Sequence, residues 1–265
     1  MKLCGSASEA GYDFDTCFGI GQAVNDNCVT VGSSLDHCHI PGREHHRHIP
    51  DSALVLGMGI HNEAGLHEID PMPSVDELIS NMLKYCLDPN DDDRAFVDFN
   101  PDDTVLLLVN NFGGLSNLEL EALTASTRRL LKKEWSITPE RCYVAAFETS
   151  LNAPGFSFSL LNVSGIERKT GVLVKDILKL LDAETTAPAW PRNGYREVKE
   201  TYESSAGAAD AKAANNAEEG PDVDSARLER AIRSACSAAI EAEPEITKWD
   251  IEMGDGDCGE AVVGM

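Results

Sequence analysis

The spacing of apolar residues changes several times along the chain. Between residues 11 and 30, Phe14, Phe18, Ile20, Ala23 and Val24 recur at roughly helical intervals and lead into Val29-Thr30-Val31-Gly32. A helix is expected there. Little sequence precedes it to pack against, so the chain is expected to begin inside a structure. Residues 33–50 are polar and His-rich, which predicts a loop. Four strand-like runs follow, at 52–60, 104–111, 141–149 and 156–163. Helical patterns lie among them at 74–87, 116–133 and 171–183. Ser74 and Glu77 have the spacing of a capping box, and Thr138-Pro139 marks a turn before the third strand. Alternating strand and helix predict an α/β layer.

The pattern breaks after Pro188-Ala189-Trp190-Pro191. Residues 203–224 hold no bulky apolar side chain apart from Val223. That composition suits a flexible linker, with a long surface loop as the other reading. Leu228, Ile232, Cys236 and Ile240 then return to helical spacing over 226–242. Glu243-Pro244-Glu245 is expected to end that helix in a loop.

Composition excludes some classes of partner. Apolar residues make up 42%, which is ordinary for a folded protein. The net charge of −23 argues against nucleic acid and against a polybasic membrane contact. No segment reaches the roughly 18 consecutive apolar residues of a membrane-spanning helix. The first 15 residues carry no apolar signal core, so a secretory leader is not expected. The eight cysteines are widely spaced without a CxxC pair, which fits reduced thiols in the cytoplasm.

Four motifs carry candidate chemistry. In Gly57-Met58-Gly59-Ile60-His61-Asn62-Glu63-Ala64-Gly65 a strand delivers a histidine between glycines that allow close approach. By spacing alone, a structural histidine is the stronger reading, because GxGxH is a weak motif. In Leu106 to Asn117 a buried strand runs into Asn110-Asn111 and Gly113-Gly114, then a helix capped by Ser116 or Asn117. Amides near a ligand at a helix N-terminus are one reading, and a plain strand-to-helix turn is the other. Asp250, Asp255 and Asp257 put three carboxylates within eight residues, among glycines. Such hard oxygens suit Mg²⁺ on phosphate. An EF-hand does not fit, because Ala261 stands where its twelfth-position Glu would be. His37, Cys38, His39, His45, His46 and His48 crowd one loop, but their spacings fit no structural-zinc template.

Together these segments resemble one family. Val31-Gly32-Ser33-Ser34-Leu35-Asp36-His37-Cys38 with Pro41-Gly42-Arg43, then GMGIHNEAG, LLLVNNFGGLSNLEL and Ala153-Pro154-Gly155-Phe156-Ser157, look like the substrate-binding domain of dihydroxyacetone kinases. Asp250 with GDGDCG looks like the opening of their ATP-binding domain. The order matches the single-chain, eukaryote-like form. The resemblance implies an incomplete α/β substrate-binding domain over 1–195, a flexible linker over 196–224, and the start of an all-α ATP- and Mg-binding domain over 225–265.

It also implies residue roles. His61 matches the histidine that bonds to the substrate carbonyl as a hemiaminal. Asp250, Asp255 and Asp257 match the ligands of Mg²⁺ on ATP. Dihydroxyacetone or glyceraldehyde is the implied substrate, a homodimer the implied assembly of the full-length enzyme, and the cytoplasm the implied location. Ala64 departs from the proline usual after Glu63. The family's Gly-rich segment upstream and most of its ATP domain are not in the sequence, so an incomplete fragment is expected. Two other readings stand beside the kinase. One is a non-catalytic carbonyl- or partner-binding module, which would have no need of the three aspartates. The other is an unrelated acidic metal-binding protein.

Overall fold

The computed structural model describes residues 1–39, 49–62, 64–91, 94–187, 190 and 224–253. The chain divides into two units, Met1–Thr201 and Tyr202–Met265. In the first, α1 (Lys2–Glu9) and α2 (Phe14–Asp26) precede β1 (Cys28–Ser34), β2 (Leu54–Leu56), β3 (His67–Ile69) and α3 (Val75–Leu87). Then come β4 (Val105–Asn111), α4 (Asn117–Trp135), β5 (Arg141–Ala145), β6 (Gly155–Asn162), α5 (Val163–Thr170) and α6 (Val174–Asp182). The strands form one sheet in the order β3-β2-β1-β6-β4-β5. β6 runs antiparallel to both β1 and β4, and β4–β5 is the parallel pair.

Strand alternation builds two cores on this sheet. Val105, Leu107 and Val109 of β4 face Ile79, Met82 and Leu83 of α3 and Leu130 and Leu131 of α4. Leu106 joins the other core, with Ile20 and Ala23 of α2, Val163 and Ile166 of α5, and Ile177 of α6. Strands buried on both faces need no polar side, so β4 reads as an unbroken apolar run from Val105 to Val109. Phe158 and Leu160 of β6 are fully buried at the centre of the first core. Truncation to Ala is expected to cost about 3–5 kcal/mol at Phe158 and about 2–5 kcal/mol at Leu160.

Local chemistry sets the helix ends. Ser74 with Glu77 and Ser116 with Glu119 form complete capping boxes at α3 and α4. Asp13 caps α2 by accepting from Thr16 N. At the start of α5, the Asn162 side chain accepts from Gly165 N.

Several expectations change. The run at 52–60 is a strand only over Leu54–Leu56, because Gly57 leaves the ladder with φ of +79°. Val29-Thr30-Val31 is the heart of a seven-residue strand rather than the tail of a helix. The run to 163 ends at Asn162, and α5 follows at once. In the second unit, α7 (Ser225–Met253) continues through Pro244, where a loop was expected. Proline has no N–H, so that helix lacks one backbone bond at this point. Of the linker expected over 196–224, only Asp224 lies within the described residues. Among the described residues no helix is long and apolar enough to cross a membrane.

One buried carboxylate joins three elements. The Asp103 side chain is only 6% exposed. It accepts from Arg168 Nη1 at 2.6 Å and Nη2 at 3.1 Å, from Asn162 Nδ2 at 2.7 Å and from Asn100 N at 2.9 Å. Burial alone would raise its pKa, but these donors outweigh burial and hold the carboxyl well below the usual range. A carboxyl depressed in the folded state stabilises above its unfolded pKa, about 4, and loses that contribution as pH falls toward the folded value. Asp103→Asn is therefore expected to cost about 2 kcal/mol at neutral pH in urea unfolding. The loss should shrink steadily below pH 4. A difference that stays constant down to pH 2 would show that the charge is not what matters.

Candidate active site

The sequence places His61 at the tip of a loop closed by two glycines. Gly57 N donates to Gly32 O at 2.7 Å, and the chain then turns away from β1. It returns at Leu66, whose N donates to Leu56 O at 2.7 Å. Both hinges need glycine. Gly57 has φ of +79°, and a Cβ there would lie 2.4 Å from Leu66 Cγ. Gly65 has φ of +73°, and its Cβ would lie 2.3 Å from Val55 Cγ1. Met58 is buried at the root, while His61 is exposed.

Asn62 fixes the tip. It holds a left-handed φ of +60°, tolerated better by Asn than by most residues. Its Oδ1 accepts from Cys38 N at 2.6 Å, and its Nδ2 donates to Cys38 O at 3.0 Å. The histidine loop is thereby joined to the segment after β1.

His61 lines a cleft of about 500 Å³. The first four residues of its wall, Val29 to Gly32, belong to β1. The β1–β2 ladder pairs only Ser33 and Ser34, so on that edge the earlier part of β1 borders the cleft instead of β2. Tyr85 and Cys86 from the end of α3 line it too, with Arg94 and Phe96 beyond. Asn110, Phe112, Glu148 and Ser157 complete it.

The paired asparagines act mainly on the backbone. Asn110 Oδ1 accepts from Phe147 N at 2.8 Å and Glu148 N at 3.0 Å, and its Nδ2 donates to Glu148 O at 2.7 Å. It thus sets the segment that brings Glu148 to the cleft. Asn111 Oδ1 accepts from Gly113 N at 2.7 Å, and its Nδ2 donates to Leu115 O at 2.7 Å. Asn111 shapes the strand-to-helix turn, so of the two readings of this motif the turn holds for it. Asn110 both shapes a loop and lines the cleft.

Thiol chemistry in the cleft is subdued. Burial, and secondarily the nearby Cys28 thiol, push Cys86 up to about 12. Cys86 therefore stays protonated at neutral pH and is a poor nucleophile. Cys38 behaves oppositely. Burial would raise it, but donors from the Asn152 and Leu151 backbone and the Ser150 side chain bring it below the ordinary value. The seven described cysteines are all free.

The remaining candidate residues are placed as follows. His37 is buried, and His39 Nε2 lies 2.8 Å from Asp36 Oδ2. His45, His46 and His48 lie outside the described residues, as do Asp255 and Asp257. Asp250 belongs to α7. Among the described residues no group of three or more His, Cys, Asp or Glu could hold a metal ion. Sequence reasoning missed Arg94, Tyr85 and Glu148. They reach the cleft from separate segments, and no spacing rule links them to His61.

Known proteins are similar to this chain in sequence and in fold. The model of the Dak1 domain matches residues 1–189. The chain is 39% identical over 275 residues to dihydroxyacetone kinase 1 of Saccharomyces cerevisiae, covering 99% of this chain and 46% of that protein. It is 31% identical over 258 residues to triokinase/FMN cyclase of Homo sapiens, covering 97% and 42%. The crystal structure of the dihydroxyacetone kinase from C. freundii with AMP-PNP and Mg²⁺ matches with a TM-score of 0.56 at 24% identity, over 99% of this chain and 44% of that one. At that identity the likeness is one of fold. The chain spans a little under half the length of the curated relatives it matches.

The loop clamp can be tested by separating its two parts. Asn62→Gly keeps the left-handed backbone but loses both bonds to Cys38, and is expected to cost about 1–2 kcal/mol. Asn62→Ala also loses backbone tolerance and is expected to cost about 1 kcal/mol more. Equal stability of the two variants in thermal unfolding would remove the argument from φ.

Proposed function

The chain belongs to the Dak1 domain family, and on that premise we propose that it is the substrate-capturing part of an ATP-dependent dihydroxyacetone kinase. The observation that carries the proposal is His61, exposed at the tip of a clamped loop and lining the cleft beside β1. The names of the curated relatives support the substrate class. Dihydroxyacetone is the first candidate and glyceraldehyde the second.

The proposed capture step is an addition. An imidazole nitrogen forms a bond to the substrate carbonyl carbon. The C=O π pair moves to oxygen, which takes up a proton, and the ring gives up its N–H proton. The product is a neutral hemiaminal. Glycerol has no carbonyl and cannot react this way, so the step selects more sharply than hydrogen bonds to hydroxyls would. A rigid loop supports the step, because a fixed nucleophile needs less ordering when substrate arrives.

ATP is the proposed phosphoryl donor. Asp250, Asp255 and Asp257 offer the hard carboxylate oxygens that Mg²⁺ takes, and would hold it against the phosphates. When bound, the metal would neutralise charge on the transferring group. The co-crystallised AMP-PNP and Mg²⁺ of the C. freundii enzyme support this choice of cofactors. We assign residues 1–195 to substrate capture, 196–224 to a linker and 225–265 to the start of the nucleotide-binding part. The free thiols support a cytoplasmic setting.

Binding of radiolabelled dihydroxyacetone to the purified chain, and ATP-dependent phosphorylation by the same chain extended at both ends, test the reading. Both are expected to fall to background in His61→Ala, with glycerol inert throughout. An extended protein that fails to phosphorylate dihydroxyacetone while still binding it would replace the kinase with a carbonyl-binding module.

A further inference from the structure

We propose that Arg94 is a phosphate-binding residue of the cleft: it holds the phosphate of a phosphorylated three-carbon carbonyl compound whose carbonyl lies at His61. The assignment rests on the kinase reading above and adds a ligand group and an orientation to it.

The charge of the cleft points this way. The chain carries 45 acidic and 22 basic residues. Among the described residues Arg94 is the one Lys or Arg that lines the cleft, and Glu148 the one carboxylate. Dihydroxyacetone is neutral and gives a cation nothing to bind. Its phosphate ester carries nearly two negative charges at neutral pH, and would meet an otherwise acidic protein.

The geometry is that of a held side chain. Arg94 N donates to Asp91 O at 3.3 Å and to Asp91 Oδ1 at 3.2 Å, which fixes its place in the turn beyond α3. Its guanidinium carbon lies 5.1 Å from the centre of the Tyr85 ring. Tyr85 in turn leans on His67 of β3, with ring centres 6.2 Å apart. Asp91 Oδ2 approaches only Nε, at 3.8 Å. The two Nη groups make no hydrogen bond among the described residues. A guanidinium lying over an aromatic ring, with its outer fork unbonded among the described residues, is suited to phosphate oxygens in a bidentate contact. The Arg94 side chain is 38% exposed, so part of its water is already displaced.

The consequence is an orientation. With the carbonyl carbon at His61 and the phosphate at Arg94, the hydroxyl that accepts the phosphoryl group is the one at the Tyr85–Arg94 wall. The same contact would make the cleft bind the phosphorylated product at least as well as the substrate.

Equilibrium binding to the whole chain tests this, with dihydroxyacetone, dihydroxyacetone phosphate and Mg-ATP as separate probes. Arg94→Gln is expected to weaken dihydroxyacetone phosphate about tenfold or more, and to leave dihydroxyacetone within about twofold. Arg94→Lys keeps the charge without the fork and should fall between. It carries the test if the Gln variant does not fold. Added KCl should weaken dihydroxyacetone phosphate in the wild type far more than dihydroxyacetone. Equal losses for both three-carbon probes, no loss for either, or a loss confined to Mg-ATP would overturn the Arg94 assignment and leave the kinase reading standing. A wild-type chain that binds neither three-carbon probe would overturn both.

Discussion

The hydrogen bond from Gly57 N to Gly32 O closes the ladder between β1 and β2, and the cleft exists because the ladder stops there. A strand continuing through residues 58–60 would pair with the earlier part of β1 and fill the space that His61 now borders. Two glycines with positive φ prevent this, and crowding by Leu66 and Val55 leaves no room for a side chain at either hinge. The rest of the site follows from that early ending. Residues Val29 to Gly32 become a wall, and the end of α3 can reach the opening from the other side.

The loops around this wall are held largely by asparagine side chains bonded to backbone. Asn62 clamps Cys38, Asn110 clamps the Phe147–Glu148 peptide, Asn111 closes the turn into α4, and Asn162 caps α5. The choice of residue has a physical basis. Asparagine offers an acceptor and two donors without a charge, so it satisfies two backbone groups at once and costs less to bury than aspartate. Where a buried carboxylate does occur, at Asp103, an arginine fork and three further donors from Asn100 and Asn162 keep it ionised. Rigidity at the site thus comes from loop clamps set on a sheet whose interior strand β4 is buried on both faces.

That arrangement explains what could be read from the sequence. The helices α3 and α4 announce themselves through Ser74/Glu77 and Ser116/Glu119, because a capping box is a local signal. β4 is legible as an apolar run for the same reason that it is central. β2 was read too long, since the apolar run at 52–60 does not reveal that Gly57 has positive φ. β1 was read as the tail of a helix, because its pairing partner β6 lies more than 120 residues away. α5 was missed because its cap, Asn162, sits inside a strand-like run. His61 stood out as a histidine between glycines at the end of a strand-like run. Arg94 and Glu148 did not, because their relation to His61 is set by the packing of the fold and leaves no pattern in one dimension.

The acidity of the chain constrains any anionic ligand it takes. A net charge of −23 repels phosphate at long range, and the repulsion is screened only beyond about 8–10 Å at physiological salt. Affinity for a phosphorylated ligand must then come from cations within contact distance. The cleft has one such side chain among the described residues, and Mg²⁺ would supply charge on the nucleotide side. A neutral carbonyl substrate escapes this requirement, because addition to an imidazole needs no charge on the ligand. On the proposed reading, one acidic protein would take a neutral acceptor by covalent capture and its phosphorylated product by a single arginine. The same acidity would turn away nucleotides that arrive without metal.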